Sequence, residues 1–307
     1  MSLSIALTNA LSGLNVNQKA LEVLSNNIAN ANTAGYSRQI VSQQAVYLAG
    51  SGAGVSIADI SRKVDEYLNR AIQLQSSATA KASVTNQYLS RSHLLFGGPG
   101  GQNNLNSYIN NFFNALQSLG ITPESPSLKA NAVRTGTTFA SQVSSLSREL
   151  QTLRFEADQD VKMAVDNINA NITELYNLNA AIASSQSAGQ SPIGFLDRRD
   201  TLLRQLSEYL DVQTYARENG AINVFTSNGI NLVDENLHRL TYSPAASSDT
   251  FRDDATLDAV RVYQIDQSGN AFGTPSVLVS GGSSSQVTSV ISSGKLKGLI
   301  DLRDRQL

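Results

Sequence analysis

The chain has 307 residues, a formal net charge of −2 and no cysteine. Missing cysteines exclude disulfides and thiolate metal or redox sites, and the near-neutral charge argues against a nucleic-acid footprint, which needs a basic excess to neutralise phosphates. Hydrophobic residues make up 41% and aromatic ones only 6%, a thin supply of core that suits elongated helices with narrow seams better than a compact enzyme interior.

The length suggests about two domains. The N-terminus MSLSIALTNALSGL has no positive n-region and no long apolar core, so it is not an ordinary cleavable signal peptide. No apolar run approaches the roughly eighteen residues of a membrane span, so membrane insertion is not expected. Any exit from the cytoplasm therefore takes another route.

Residues 3–31 read as a helix with a heptad seam. Leu7, Leu14, Leu21 and Ile28 are spaced by sevens, with Ala10, Asn17, Leu24 and Ala31 as the companion row. Such a narrow seam wants a partner helix. That partner is the helix's own domain, another subunit or a distant part of the chain. With no internal partner in view, residues 1 to about 55 are expected to be poorly ordered in the monomer and to fold on assembly. Arg38 to Ile60 reads as extended segments joined by a flexible Gly-Ser-Gly-Ala-Gly loop. Helical spacing resumes at Ile60, Val64, Leu68 and Ile72, and stops at FGGPGGQNN, where glycines and Pro99 cannot continue a helix.

A short helix follows, with Tyr108, Phe112, Phe113, Leu116 and Leu119 on one face. The next segment, Ser127 to Gln186, is the most regular. Phe139, Leu146 and Leu153 recur every seven residues beside Val143, Leu150 and Ala157. After a shift near Asp158–Asp160, Val161, Ile168, Leu175 and Ile182 resume the seam beside Val165, Ile172 and Asn179. The shift reads as a stutter in a coiled-coil repeat. Phe195 to Leu210 is one more helix with Leu196, Leu203, Leu206 and Leu210 inward. From Val212 the period becomes two. VQTYA, INVFT, INLVD, HRLTY, AVRVYQI and PSVLV are strand candidates separated by turn signals. A helical pattern restarts at Gly294 with Leu296, Leu299, Ile300 and Leu307, and is expected to be the first part of a returning helix in a longer protein.

The fold expected is mainly α with an added β domain: an elongated long-helix bundle or coiled-coil rod plus a small antiparallel β domain. The divisions are 1–60, an N-terminal segment; 61–210, the helical rod; 211–293, the β-rich domain; and 294–307, the returning helix.

Chemistry is hard to find. His93 and His238 fall in different predicted domains, and no G-x-S-x-G elbow is present. Gly97 to Gly101 lacks the Lys-Ser/Thr of a P-loop. Asp158 and Asp160 are two apart, so on a helix they point apart. Asp253-Asp254 lacks the further oxygen ligands of an EF-hand. Asp197 and Asp200, flanking Arg198 and Arg199, suit ion pairs near a helix start. Asn171-Ile172-Thr173 matches a glycosylation sequon but falls on the rod seam. No catalytic, cofactor or metal site is legible.

The stretch LSNNIANANTAGYSRQ (Leu24 to Gln39) resembles the N-terminal signature of the bacterial flagellar axial proteins, the family of rod, hook and hook-associated components. The matching positions are Asn26, Asn27, Ile28, Ala29, Asn30, Asn32, Thr33, Gly35, Tyr36 and Arg38. The order YINNFFNALQSL, NINANITELYNLNAAI, FLDRRDTLLRQLSEYLDV, GAINVFTSNGINLVD and GKLKGLIDLRDRQL is similar to the hook-associated members. One departure is Arg198 in LDRRD, where the family more often has Gln. The resemblance implies a structural, non-enzymatic protein at the junction of hook and filament. It implies that Leu7, Leu14, Leu21, Leu24 and Ile28 form an assembly seam lining the central channel, and that the signature is a hinge to the outer domains. The implied partners are copies of the chain in a ring-like homo-oligomer, the hook protein, a second junction protein and the flagellar export apparatus. The location implied is extracellular, reached without a cleaved signal. A hook or distal-rod component and a flagellar-tethered adhesin stay open as alternatives.

Overall fold

The structure is a computed structural model that describes residues 3–48, 51–97, 104–251, 257–266, 268–282 and 289–307. Gly98 to Gly101 and Asp253-Asp254 lie outside the described residues.

The chain begins with helix α1 (Leu3–Ala29), followed by an antiparallel hairpin of β1 (Gln39–Leu48) and β2 (Ser51–Arg62). The helix lies against this hairpin, burying Val16 and Val23, while Ser12 Oγ accepts the Val55 amide at 3.1 Å. These three elements form an arm. The flexible loop expected around Gly52 and Gly54 is instead the start of β2, and the helical reading of Ile60 and Val64 is corrected. Pairing with β1 carries Ile60 to Arg62 in the strand, and the next helix waits for a cap. Asp65 supplies it, its carboxylate accepting the Leu68 amide at 3.0 Å.

Helix α2 (Glu66–Leu95) then runs into the body, followed by α3 (Leu105–Ile121) and the 62-residue α4 (Pro126–Ser187). Proline suits the first turn of α4, where its missing N–H is an orphan anyway. At 1.5 Å per residue the helix is on the order of 90 Å long. Its seam is the one the heptads predict, because Leu146, Leu153, Ala157, Val161, Val165, Ile168, Ile172, Leu175, Asn179 and Ile182 are all buried. Toward its start, among the described residues, the cover thins to α3. There Phe112 stacks on Phe139 with ring centroids 6.1 Å apart, while Val143 stays exposed.

Helix α5 (Ile193–Tyr209) buries Leu202, Leu203 and Leu206 against α2 and α4. Six strands follow: β3 (Val212–Ala216), β4 (Ile222–Thr226), β5 (Asn231–Val233), β6 (Leu237–Thr241), β7 (Val260–Ile265) and β8 (Ala271–Val279). They form one antiparallel meander in chain order, at the six places where alternation predicts strands. Alternate residues such as Ile222, Val224, Val260 and Val262 turn inward. The sheet shares its core with the second half of α4, where Val224, Leu232, Leu240 and Leu278 join Ile168, Ile172 and Leu175. Burying each such aliphatic side chain stabilises the fold by about 1.5–3 kcal/mol. Finally α6 (Lys295–Asp301) crosses α2 at Gly298, where a Cβ would lie 3.1 Å from the Lys81 carbonyl oxygen. Among the described residues no helix is long and apolar enough to cross a membrane.

Candidate functional site

The signature residues build the corner where α1 turns back into the hairpin. The Asn30 amide and its side-chain Nδ2 both donate to the Asn26 carbonyl, each at 3.0 Å, ending the helix. Asparagine does this readily because its short amide competes for nearby backbone groups. Thr33 Oγ1 donates to Asn30 Oδ1 at 3.2 Å, and the Tyr36 amide closes a tight turn onto the Thr33 carbonyl at 3.2 Å. The third residue of that turn, Gly35, sits at φ 85°, in the left-handed region where a side chain is strained. A Cβ there would also collide with the Thr201 hydroxyl of α5.

Asn27 is the centre of the corner. Its Nδ2 donates to the Gln39 carbonyl and its Oδ1 accepts the Gln39 amide, both at 2.9 Å, so the side chain pairs with β1 as a strand neighbour would. The same Oδ1 accepts the Tyr36 hydroxyl at 2.9 Å. The structure thus brings together Asn27, Asn30, Thr33, Gly35 and Tyr36, with Asn26 contributing its carbonyl. It leaves Ile28, Ala29, Asn32 and Arg38 exposed.

Leu7, Leu14, Leu21, Leu24 and Ile28 form a second feature. They lie on α1 away from the hairpin, and every one is more than half exposed. Val16 and Val23 face the hairpin instead, a second row seven apart that the leucine pattern overshadows.

Beside the corner stands the N-terminal half of α5. Arg62 Nη1 donates to Asp197 Oδ1 at 2.8 Å and to Asp200 Oδ2 at 2.9 Å, and the Ser37 amide donates to Asp197 Oδ2 at 3.2 Å. The expected ion pairs at this helix start therefore form, but with an arginine from β2. Arg198 turns away to Glu174 at 2.6 Å, and Arg199 donates to the Gly220 carbonyl at 2.9 Å.

Other polar groups in the body are structural. Asp158 and Asp160 do point apart. Asp160 accepts the Tyr88 hydroxyl at 2.9 Å, while the buried Asp158 accepts the Ala245 amide at 2.6 Å, Arg303 Nη1 at 2.9 Å and the Tyr242 hydroxyl. Burial opposes the charge of Arg303, yet Asp304, Tyr242 and Asp158 hold its pKa above the ordinary arginine value. Burial raises the Tyr242 phenol, with Arg303 opposing and Asp158 reinforcing the shift. Sequence reasoning missed this cluster; its signal is a carboxylate on the inward row where the heptads shift. It also missed that Asn169 and Asn179 each clasp a strand by two bonds, to Leu240 at 2.9 and 2.7 Å and to Ile222 at 2.7 and 3.0 Å. His93 is exposed on α2, and His238 on β6 has its Nδ1 3.9 Å from Asp234 Oδ1. Among the described residues no group of three or more His, Asp or Glu is placed to hold a metal ion.

Comparison with known proteins accounts for this arrangement. Residues 7–36 match the family described as flagella basal body rod protein, and residues 89–307 match the flagellar hook-associated protein FlgK helical domain. Flagellar hook-associated protein 1 of Escherichia coli (strain K12) is 28% identical over 81% of this chain and 47% of its own length. That of Salmonella typhimurium is 27% identical over 99% of the chain and 53% of its own. The Bacillus subtilis (strain 168) protein of the same name is 28% identical over 77% and 49%. The chain thus spans about half the length of the curated relatives it matches. The fold is also that of the flagellar hook junction protein FlgK from Burkholderia pseudomallei, with a TM-score of 0.56 and 22% identity over 77% of this chain and 38% of that one. By the match over residues 89–307, the chain belongs to the family of the flagellar hook-associated protein FlgK helical domain.

Proposed function

We propose that this protein is a structural, non-catalytic part of the bacterial flagellum that forms the junction layer between hook and filament. The observation that carries the reading is the arm. One face of α1 packs on the hairpin, and the opposite face presents an unbroken row of leucines and an isoleucine to solvent. A row with heptad spacing pairs with another helix, so the arm suits assembly through helix pairing in the axial structure. The signature residues Asn26, Asn27, Ile28, Ala29, Asn30, Asn32, Thr33, Gly35, Tyr36 and Arg38 serve as the corner that aims this helix away from the body. The partners are copies of the same chain in a ring-like layer, the hook protein, a second junction protein and, during export, the flagellar type III apparatus. The work is repeated subunit contact outside the cell.

Deleting the encoding region in the native host tests the reading. Complete hooks without filaments, with flagellin shed into the medium, are expected. Missing or truncated hooks would assign the protein to the rod or hook instead, and normal flagella would end the proposal.

A further inference from the structure

Arm and body are joined by little. The covalent link is the three-residue segment Lys63-Val64-Asp65, between the end of β2 and the first turn of α2. Among the described residues, α1, β1 and β2 pack on one another and make no extended packing with any helix or strand of the body. The side-chain ties are few: Arg62 to Asp197 and Asp200, the Ser37 amide to Asp197, and Ser191 Oγ to the Ile60 carbonyl at 3.2 Å. Gly35 rests against Thr201 nearby.

The crease around these ties is open. On one side a cavity of about 470 Å³ is lined by Arg62, Glu66, Gln186, Arg199 and Ile222. On the other, one of about 260 Å³ is lined by Tyr36, Lys63, Leu68 and Arg204. An interface of matched apolar surfaces would resist rotation through its packing; this one has space on both flanks and a charged group between them. The corner at Asn27, in contrast, is closed by hydrogen bonds within the arm.

We propose that the arm pivots as a unit about residues 63–65, and that Arg62 is the clasp that sets its angle by bridging Asp197 and Asp200 on α5. One guanidinium nitrogen lies between two carboxylates, and all three side chains are more than four-fifths buried. Removing the arginine breaks both bonds that tie β2 to α5 and leaves the two carboxylates with only Arg199, 3.9 Å from Asp200, as a counter-ion, which frees the arm from α5. Removing the carboxylates leaves the arginine with nothing to hold. Either change frees the angle while the arm's own corner and the body's core stay intact, since none of these three residues belongs to that core.

The test uses the absence of native cysteine. Spin labels on Ser42→Cys in β1 and Asn177→Cys in α4, both exposed positions, report the arm–body distance. The native background should give one narrow distribution. Arg62→Met and, separately, Asp197→Asn with Asp200→Asn should each give a broad one, and the Ser37 amide should lose its hydrogen-exchange protection. Amides of α1 that face the hairpin should not change relative to β1. Three results overturn the proposal: a native-like distribution in either variant, an already broad distribution in the native protein, or loss of the body's cooperative melting in both variants. The last would mean that the three residues hold the body together rather than the arm to it.

Discussion

Two helices in this protein carry seven-residue apolar repeats, α1 in the arm and α4 in the body. In α1 the repeat Leu7, Leu14, Leu21 and Ile28 faces water. In the second half of α4 the repeat Val161, Ile168, Leu175 and Ile182 is fully buried. Each helix also uses asparagine in the same way, Asn27 on β1 and Asn169 and Asn179 on β6 and β4. The local chemistry is shared, so the difference lies in what stands opposite. The body brings a six-stranded sheet and helices α2, α3, α5 and α6 to α4, whereas the arm brings a hairpin to one side of α1 only. A heptad states that a helix has a sticky seam; it does not state that the same chain covers it.

The widest separation between the two regions should come from placing a charge in each seam. Ile168→Asp puts an unpaired carboxylate in the closed core and should cost more than about 4 kcal/mol, abolishing cooperative urea unfolding. Leu150→Asp, at a half-buried seam position, should lower the melting temperature less. Leu14→Asp should leave the monomer's stability within about 0.5 kcal/mol of native, yet remove filament assembly in the host. Equal losses from Ile168→Asp and Leu14→Asp would mean the leucine row is covered in the monomer.

Next in size is the buried ion pair. Arg303→Met leaves Asp158 charged and without its cation, and a loss of about 3–5 kcal/mol is expected, read from urea denaturation. Asn179→Ala strips both partners from the Ile222 amide and carbonyl and should cost about 1–3 kcal/mol. Asn27→Ala removes equivalent bonds from the arm. It should leave the global melting temperature where it is and speed exchange of the Gln39 amide alone. A comparable drop in melting temperature from both would show that arm and body unfold as one unit.

The smallest effects are local ones in the arm. In dilute monomer the amides of Leu7 to Ile28 should exchange through local opening, while those of Val161 to Ile182 should exchange only through global unfolding. Protection of α1 as strong as that of α4 would show that the arm opens only together with the body. Gly35→Ala should strain the turn by about 1–2 kcal/mol, visible as faster exchange at Tyr36 and not as a lower melting temperature.

Much of this was legible in the residues. The long helix, its stutter and the six strands follow from periods of 3.5 and 2 that the backbone imposes on any half-buried element. The turn at Asn30 to Tyr36 follows from asparagine and glycine chemistry. Val16 and Val23 were not legible as the packing face, because a heavier leucine row shares their spacing. The start of α2 was misplaced because Ile60 and Val64 happen to continue its spacing backward, while strand pairing with β1 claims Ile60 and an aspartate cap sets the boundary. The hinge expected within the signature falls on a corner closed by hydrogen bonds, and the sparse joint lies at residues 63–65.

Arg62 lies 135 and 138 residues from Asp197 and Asp200, and no local pattern links it to them. Asp158, Tyr242 and Arg303 likewise lie between 61 and 145 residues apart. The sequence by itself determined which segments are helices and strands, where they turn and which stripes are apolar, since these depend on neighbours a few residues away. Only the tertiary structure decided which stripe found cover, which carboxylate met which arginine and where the arm joins the body, since these depend on groups that meet only after the chain has folded.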